Sequence, residues 1–143
     1  MNVTIKAVDT NFVHQVWPSV QFFIQSALDT EKDAPEWSQN YNIDHIQQYV
    51  ASGQWLLLVA LNDQGGVQGC ATVSFINYPM HRVAFVTATG GKFISSQDVF
   101  AQLKTILKGF GATKIQGFGR DSIVRLWRRF NFEPRNTLVE VQI

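Results

Sequence analysis

Two apolar runs joined by a glycine-bearing turn sit at the centre of this chain and limit what it can fold into. Trp55–Leu61 is a continuous apolar stretch of strand length, Asn62-Asp-Gln-Gly-Gly66 is a turn, and Val67–Phe75 is a second strand-like run. Together they read as a β-hairpin. A third β-rich run, Val83–Thr89, follows and is closed by Gly90-Gly91. Strands this apolar must be covered on both faces, and helical patterns flank them in sequence.

Before the hairpin, residues 3–8 alternate apolar and polar and predict an opening strand. Asp9-Thr10-Asn11 offers caps to a helix over about 11–28, whose Phe12, Val13, Val16, Val20, Phe23, Ile24 and Leu28 recur at helical spacing. Pro18 is expected to kink or split it. Residues 29–42 read as a loop, and a short helix over Ile43–Ala51 ends at Ser52-Gly53.

After the third run, Val99, Phe100, Leu103, Ile106, Leu107 and Phe110 mark an amphipathic helix over 97–110, ended by Gly109 and Gly111. A short strand at Lys114–Gly119, a helix at Asp121–Phe130 and a final strand at Thr137–Ile143 complete the pattern. The order β-α-α-β-β-β-α-β-α-β predicts one α+β domain over 1–143. Its expected architecture is three layers, α/β/α, around a mixed, mostly antiparallel sheet.

A chain of 143 residues that is 45% hydrophobic, with eleven Phe and four Trp, can close one sizeable core. No apolar stretch approaches the roughly 20 residues that cross a bilayer, and the first residues show no signal-peptide pattern. The lone cysteine, Cys70, allows no intrachain disulfide and suits a reducing, cytoplasmic compartment. Within its strand-like run it reads as a small buried hydrophobe. The net charge of +1 is unevenly spread: residues 1–91 hold three Lys/Arg against seven Asp/Glu, and residues 92–143 hold nine against four. A basic C-terminal half suits an anionic ligand, or simply solvates two helices.

The segment Arg120-Asp-Ser-Ile-Val-Arg-Leu-Trp-Arg-Arg-Phe-Asn-Phe132 resembles the closing signature of the GNAT acyltransferases, Asn-x-x-Ala-x-x-Leu-Tyr-x-Lys-x-Gly-Phe. Leu126 and Phe132 match, and Arg129 keeps the charge of the Lys. Arg120 stands in place of Asn, Trp127 of Tyr and Asn131 of Gly. The element order is also that of the GNAT fold, and Trp55–Val73 looks like its second and third strands. The small GNAT-like proteins of tailed phages, some needed for virion assembly, are loosely similar; that likeness would place the chain in a virion within a host cytoplasm.

The resemblance implies a site for acetyl-CoA. In GNAT enzymes the fourth strand leads into an Arg/Gln-x-x-Gly-x-Gly/Ala loop that opens the third helix. Backbone amides there approach the pyrophosphate, and the helix N-terminus adds its dipole. The matching stretch here is Gly90-Gly-Lys-Phe-Ile-Ser-Ser-Gln-Asp98, which makes Gly91, Lys92, Ser95, Ser96 and Arg120 the candidate cofactor-binding residues. Ile94 falls where a small residue belongs; its β-branched side chain is expected to resist positive φ and close backbone approach. Asp98 is expected to repel phosphate. Ser95 and Ser96, followed by Gln and Asp, also read as a plain helix cap.

The same resemblance calls for a general acid, often a Tyr on the last helix. Trp127 occupies that position, and an indole has no accessible titration. Its spacing with Ile123 and Phe130 is that of a packing face. The remaining candidates are Ser122, Tyr78 if it folds back over the site, and His81 or His14 as a base, since Val83–Thr89 contains no carboxylate. His14, His45, His81 and Cys70 have no metal-ligand spacing.

Arg125, Arg128 and Arg129 recur at i, i+3 and i+4 and form one basic face suited to nucleic acid or an acidic protein, or to solvent alone. Two expectations therefore stand side by side. One is an N-acetyltransferase with a degenerate pyrophosphate loop, acting on an amine acceptor. The other is a GNAT-like scaffold that has lost acetyl-CoA chemistry and binds a protein or nucleic acid.

Overall fold

A computed structural model describes residues 2–30 and 34–143; residues 31–33 of the expected loop lie outside these. Strand β1 (Thr4–Ala7) leads through a 3-10 turn into α1 (Val13–Asp29), followed by α2 (Ile43–Ala51). Then come β2 (Leu56–Leu61), β3 (Val67–Asn77), β4 (Arg82–Gly91), α3 (Gln97–Gly109), β5 (Lys114–Gly117) and α4 (Asp121–Trp127), which tightens into a 3-10 turn at Arg128–Phe130. The five strands form one sheet in the order β1-β2-β3-β4-β5. Neighbours are antiparallel except β4 and β5, which are parallel.

Strand alternation sorts the core into two layers. Leu58, Ala60, Ala71, Val73 and Ala84 pack with Val99, Phe100, Leu103 and Leu107 of α3, and with Phe130. Leu57, Val59, Cys70 and Ala88 pack on the other face with Val13, Trp17, Val20 and Ile24 of α1 and Ile46 and Val50 of α2. Ala84 and Ala88 would share a face in a regular strand. They do not, because the β3–β4 register slips between Thr72↔Ala88 and Val73↔Val86, which leaves Thr87 as a bulged residue.

Two local expectations are corrected. Helix α1 is not split at Pro18 and continues as one helix from Val13 to Asp29. Proline removes one backbone bond near the helix start, and the burial of Val13, Trp17, Val20 and Ile24 stabilises the helix on both sides of it. Thr137–Ile143 forms no strand. Its apolar residues Leu138, Val139, Val141 and Ile143 stay exposed, and its side-chain tie is a hydrogen bond from the Ser38 hydroxyl to Glu140. Alternation records a preference for a half-buried pleat, and among the described residues this segment has no ladder partner to satisfy it.

The last helix ends in a left-handed turn. Asn131 is the single non-glycine residue with positive φ among the described residues, at φ 67°. It caps the 3-10 turn in the left-handed conformation for which the GNAT pattern uses glycine, and asparagine tolerates that region better than other side chains.

Candidate functional site

β4 and β5 are paired from Val83↔Lys114 to Val86↔Gly117. β4 then continues to Gly91 after β5 has ended. The resulting fork lies at the carboxyl ends of two parallel strands, where open sheets commonly leave room for a ligand. The bulge at Thr87 stands at its base. The Thr87 hydroxyl donates to the Thr72 carbonyl at 3.0 Å, so the Thr72 hydroxyl is the donor in their 2.7 Å mutual contact. Thr72 is fully buried, so this pairing satisfies a group that would otherwise be costly to desolvate.

The turn from β4 to α3 borders the fork. Gly91 has φ +66°, and a Cβ there would lie 2.6 Å from the Gln68 carbonyl oxygen, so both conformation and space demand glycine. The Lys92 amide donates to that same carbonyl at 2.9 Å, and the Gln68 side chain returns a bond to the Lys92 carbonyl. Phe93 is buried, and Ile94 packs against the α3-side core in an ordinary backbone conformation. Ile94 takes no positive φ, and its side chain is used in packing. Ser96 is the N-cap of α3, accepting from the Val99 amide at 3.2 Å.

Among the described residues, the amides of Phe93–Ser96 and the Ser95 hydroxyl have no intrachain partner. Asp98 is engaged by the Gln102 side chain one helical turn on. Free amides, a helix N-terminus and Lys92 fit the phosphates of an acyl-CoA. Arg120 follows β5 and caps α4 at the same end of the sheet, since β4 and β5 run in parallel. Ser122 is exposed in the first turn of α4.

Aromatic residues wall one side of the fork. Trp127 lies over Gly117, where an added Cβ would sit 3.2 Å from its ring. Phe132 packs on Trp127, and Phe100 packs on Phe130 and Phe132, with ring centroids 5.1–5.6 Å apart. The Gln97 side chain donates to the Arg129 carbonyl at 2.7 Å and ties the start of α3 to the end of the closing helix. The sequence reading placed Trp127 on a packing face but gave no sign that it meets β5.

Other candidates are elsewhere. Tyr78 and His81 bracket the β3–β4 turn, where the Tyr78 amide donates to the His81 carbonyl, at the opposite end of β4 from the fork. His81 is tied to Thr113 through Nδ1 at 2.9 Å. Neither residue reaches the bulge. His45 closes a capping box with Asn42 on α2, and His14 is exposed on α1. Burial pushes the Cys70 thiol up to about 12, which makes it inert as a nucleophile near neutrality. Arg125, Arg128 and Arg129 are exposed, and among the described residues the recorded ion pair is Arg135–Glu133, itself largely exposed.

The architecture is that of the GNAT acyltransferases. A predicted acetyltransferase from Clostridium acetobutylicum, solved with acetyl-CoA, superposes with a TM-score of 0.62 at 13% identity over 99% of this chain and 96% of that one. An aminoglycoside acetyltransferase from an uncultured soil metagenomic sample, in complex with sisomicin, gives 0.64 at 11% identity over 99% and 95%. A further probable acetyltransferase gives 0.65 at 10% identity over 100% and 99%. Identities this low show the fold alone. No protein-family model and no curated protein sequence matches the chain. No helix among the described residues is long and apolar enough to cross a membrane.

Proposed function

We propose that this protein is an acyl-CoA-dependent N-acyltransferase whose catalysis rests on positioning rather than on side-chain acid–base chemistry. The observation that carries this reading is the fork itself: β4 is released from β5 at the Thr87 bulge and leads into a turn of unpaired amides at the start of α3. Gly91, Lys92, Ser95 and the amides of Phe93–Ser96 would hold the phosphates of acetyl-CoA. Bound there, acetyl-CoA supplies an activated thioester carbonyl. Backbone groups of β4 beyond Val86, unclaimed by β5, are the means of polarising that carbonyl. Trp127 excludes water from one wall and gives no proton to a departing thiolate. With neither His81 nor Tyr78 at the fork, the acceptor amine must arrive unprotonated.

Calorimetry with acetyl-CoA tests the reading. Saturable binding is expected, and no heat at millimolar cofactor would sink it. A second reading is favoured by the position of Trp127 on Gly117, where β4 and β5 part. It describes a scaffold without acetyl-CoA chemistry that binds nucleic acid or an acidic protein through Arg125, Arg128 and Arg129. A virion or assembly role belongs to this reading and rests on sequence resemblance alone. An Arg125/Arg128/Arg129→Ala triple variant that still binds DNA or partner normally removes it.

A further inference from the structure

At the end of β4 opposite the fork, two turns are tied into one surface. One is the β3–β4 turn, residues 77–82, and the other joins α3 to β5 over residues 110–114. The Thr113 amide donates to the Arg82 carbonyl at 2.8 Å, and His81 Nδ1 lies 2.9 Å from the Thr113 hydroxyl. Arg82 donates through Nε to the Phe110 carbonyl and through Nη1 to the Asn77 side chain, both at 2.9 Å. Its guanidinium lies over the Phe75 ring, 4.3 Å from the centroid, and Phe75 stacks with Phe110.

This surface shows rings and cations to solvent together. Tyr78, Met80 and Phe110 are 54%, 88% and 44% exposed, and apolar side chains gathered in one exposed place mark an interaction site. Lys108, in the last turn of α3, and Lys114, at the start of β5, are exposed on either side of Phe110 in sequence. Among the described residues neither lysine nor Arg82 is in an ion pair. Between Asp63 and Asp121 the sequence holds one carboxylate, Asp98, which stands in the first turn of α3, at the far end of that helix. The carbonyls that end α3 would repel an anion, but those of Leu107, Lys108 and Phe110 are taken by Ala112, Gly111 and Arg82. The field here is positive.

We propose that this surface binds single-stranded nucleic acid, with bases stacked on Tyr78 and Phe110 and backbone phosphates set against Lys108 and Lys114. Rings with free faces suit bases, and lysines act as point charges suited to a run of phosphates. An acidic peptide fits less well. The guanidinium fork of Arg82 is already committed to Phe110 and Asn77, so it contributes charge without a bidentate grip on a carboxylate. Rings carried on turns reach only bases that are already unstacked, which selects a single strand over a duplex. The Asn77 side chain is held by Arg82 and reads no base edge, so binding is indifferent to sequence. The arginines of α4 lack this partnership, because Trp127 lies against Gly117 and Phe130 is buried.

Fluorescence anisotropy of a labelled oligothymidine, titrated with the full chain at low salt, tests the proposal. Saturable binding is expected, and none at roughly 100 µM protein, the weak end of sequence-independent binding, would overturn it. Tyr78→Ala should weaken binding about 10-fold, with Tyr78→Trp staying near wild type. An unchanged affinity for Tyr78→Ala would contradict the stacking role. The double variant Lys108→Gln/Lys114→Gln should reduce the slope of log affinity against log salt by about 1.4, the share of two single-strand phosphate contacts. A slope that does not move would remove the lysines from the site. The Arg125/Arg128/Arg129→Ala triple variant should bind as wild type does; loss of binding there, with wild-type circular dichroism, would place the site on α4 instead. Poly-glutamate that displaces the strand at equal charge would show a general acidic partner, and tighter binding to a duplex would show a groove reader. Either result overturns the proposal.

Discussion

The Trp127 ring lies against Gly117, with 3.2 Å between its nearest carbon and the place a Cβ on that glycine would occupy. Gly117 is the last residue of β5 to pair with β4, so the indole stands where the two strands part. Trp127→Tyr would put a titratable hydroxyl at that wall. It is expected to raise kcat for acyl transfer by about 100-fold, the low end of what a positioned proton donor contributes, with KM unchanged. A change in KM alone, read from steady-state kinetics, would show that position 127 only shapes binding.

Gly90 is pinned by helix α1. A Cβ there would lie 2.3 Å from the Phe23 carbonyl oxygen, a backbone atom that cannot swing aside. Gly90→Ala should therefore cost stability at the upper end of the about 1–3 kcal/mol typical of overpacking. Urea unfolding measures it, and a change below about 0.5 kcal/mol would mean that α1 does not sit on β4 in this way.

The Thr72–Thr87 hydroxyl pair should behave as a unit. Thr87→Val strands the fully buried Thr72 hydroxyl and should cost about 1–2 kcal/mol, whereas Thr72→Val leaves the Thr87 hydroxyl its bond to the Thr72 carbonyl and should cost less. The double variant should cost less than the sum, with a coupling of about 1 kcal/mol. Additive costs would show that the two hydroxyls do not share a bond at the bulge.

Cys70 gives a pH prediction. Burial raises its folded-state pKa from 9.0 to about 12, so between those values the unfolded chain has lost a proton that the folded chain retains. The contribution is constant below pH 9 and declines as pH rises toward 12. Cys70→Ala should flatten the loss of stability over that window. At neutral pH, thiol reagents should label Cys70 only as fast as the protein opens.

Without a side-chain base at the fork, kcat/KM should rise with pH along the pKa of the acceptor amine. Changing the acceptor should move the profile with it. A limb near pH 6.5 that stays fixed across acceptors would point to a histidine at work.

Much of the fold could be read from local signals, because those signals and the tertiary contacts agree. Trp55–Leu61 and Val67–Phe75 are apolar on both faces because helices cover both, and the glycine turn between them is dictated by backbone geometry. Ser96 announces the start of α3 and serves as its cap. Asn131 replaces glycine yet keeps the left-handed turn. An acetyl-CoA site at the end of β4 was implied only through the family resemblance, and the fork beside it was not read at all. The Thr87 bulge depends on how β4 registers against β3, which no single strand encodes. The meeting of Trp127 and Gly117 joins two elements whose separate patterns say nothing about contact. The packing of Ile94 on the α3-side core was not legible either, because its residue type was visible and the direction of its side chain was not. Thr137–Ile143 shows the converse, a strand pattern that is left without a partner among the described residues.

Amide chemical shifts recorded while acetyl-CoA is titrated into the labelled protein test the central claim most directly. Binding in the fork predicts saturable shifts at Lys92–Asp98 and at the β4 amides from Thr87 to Thr89, with Tyr78 and His81 unmoved. Shifts confined to other surfaces, or none at millimolar cofactor, would contradict it.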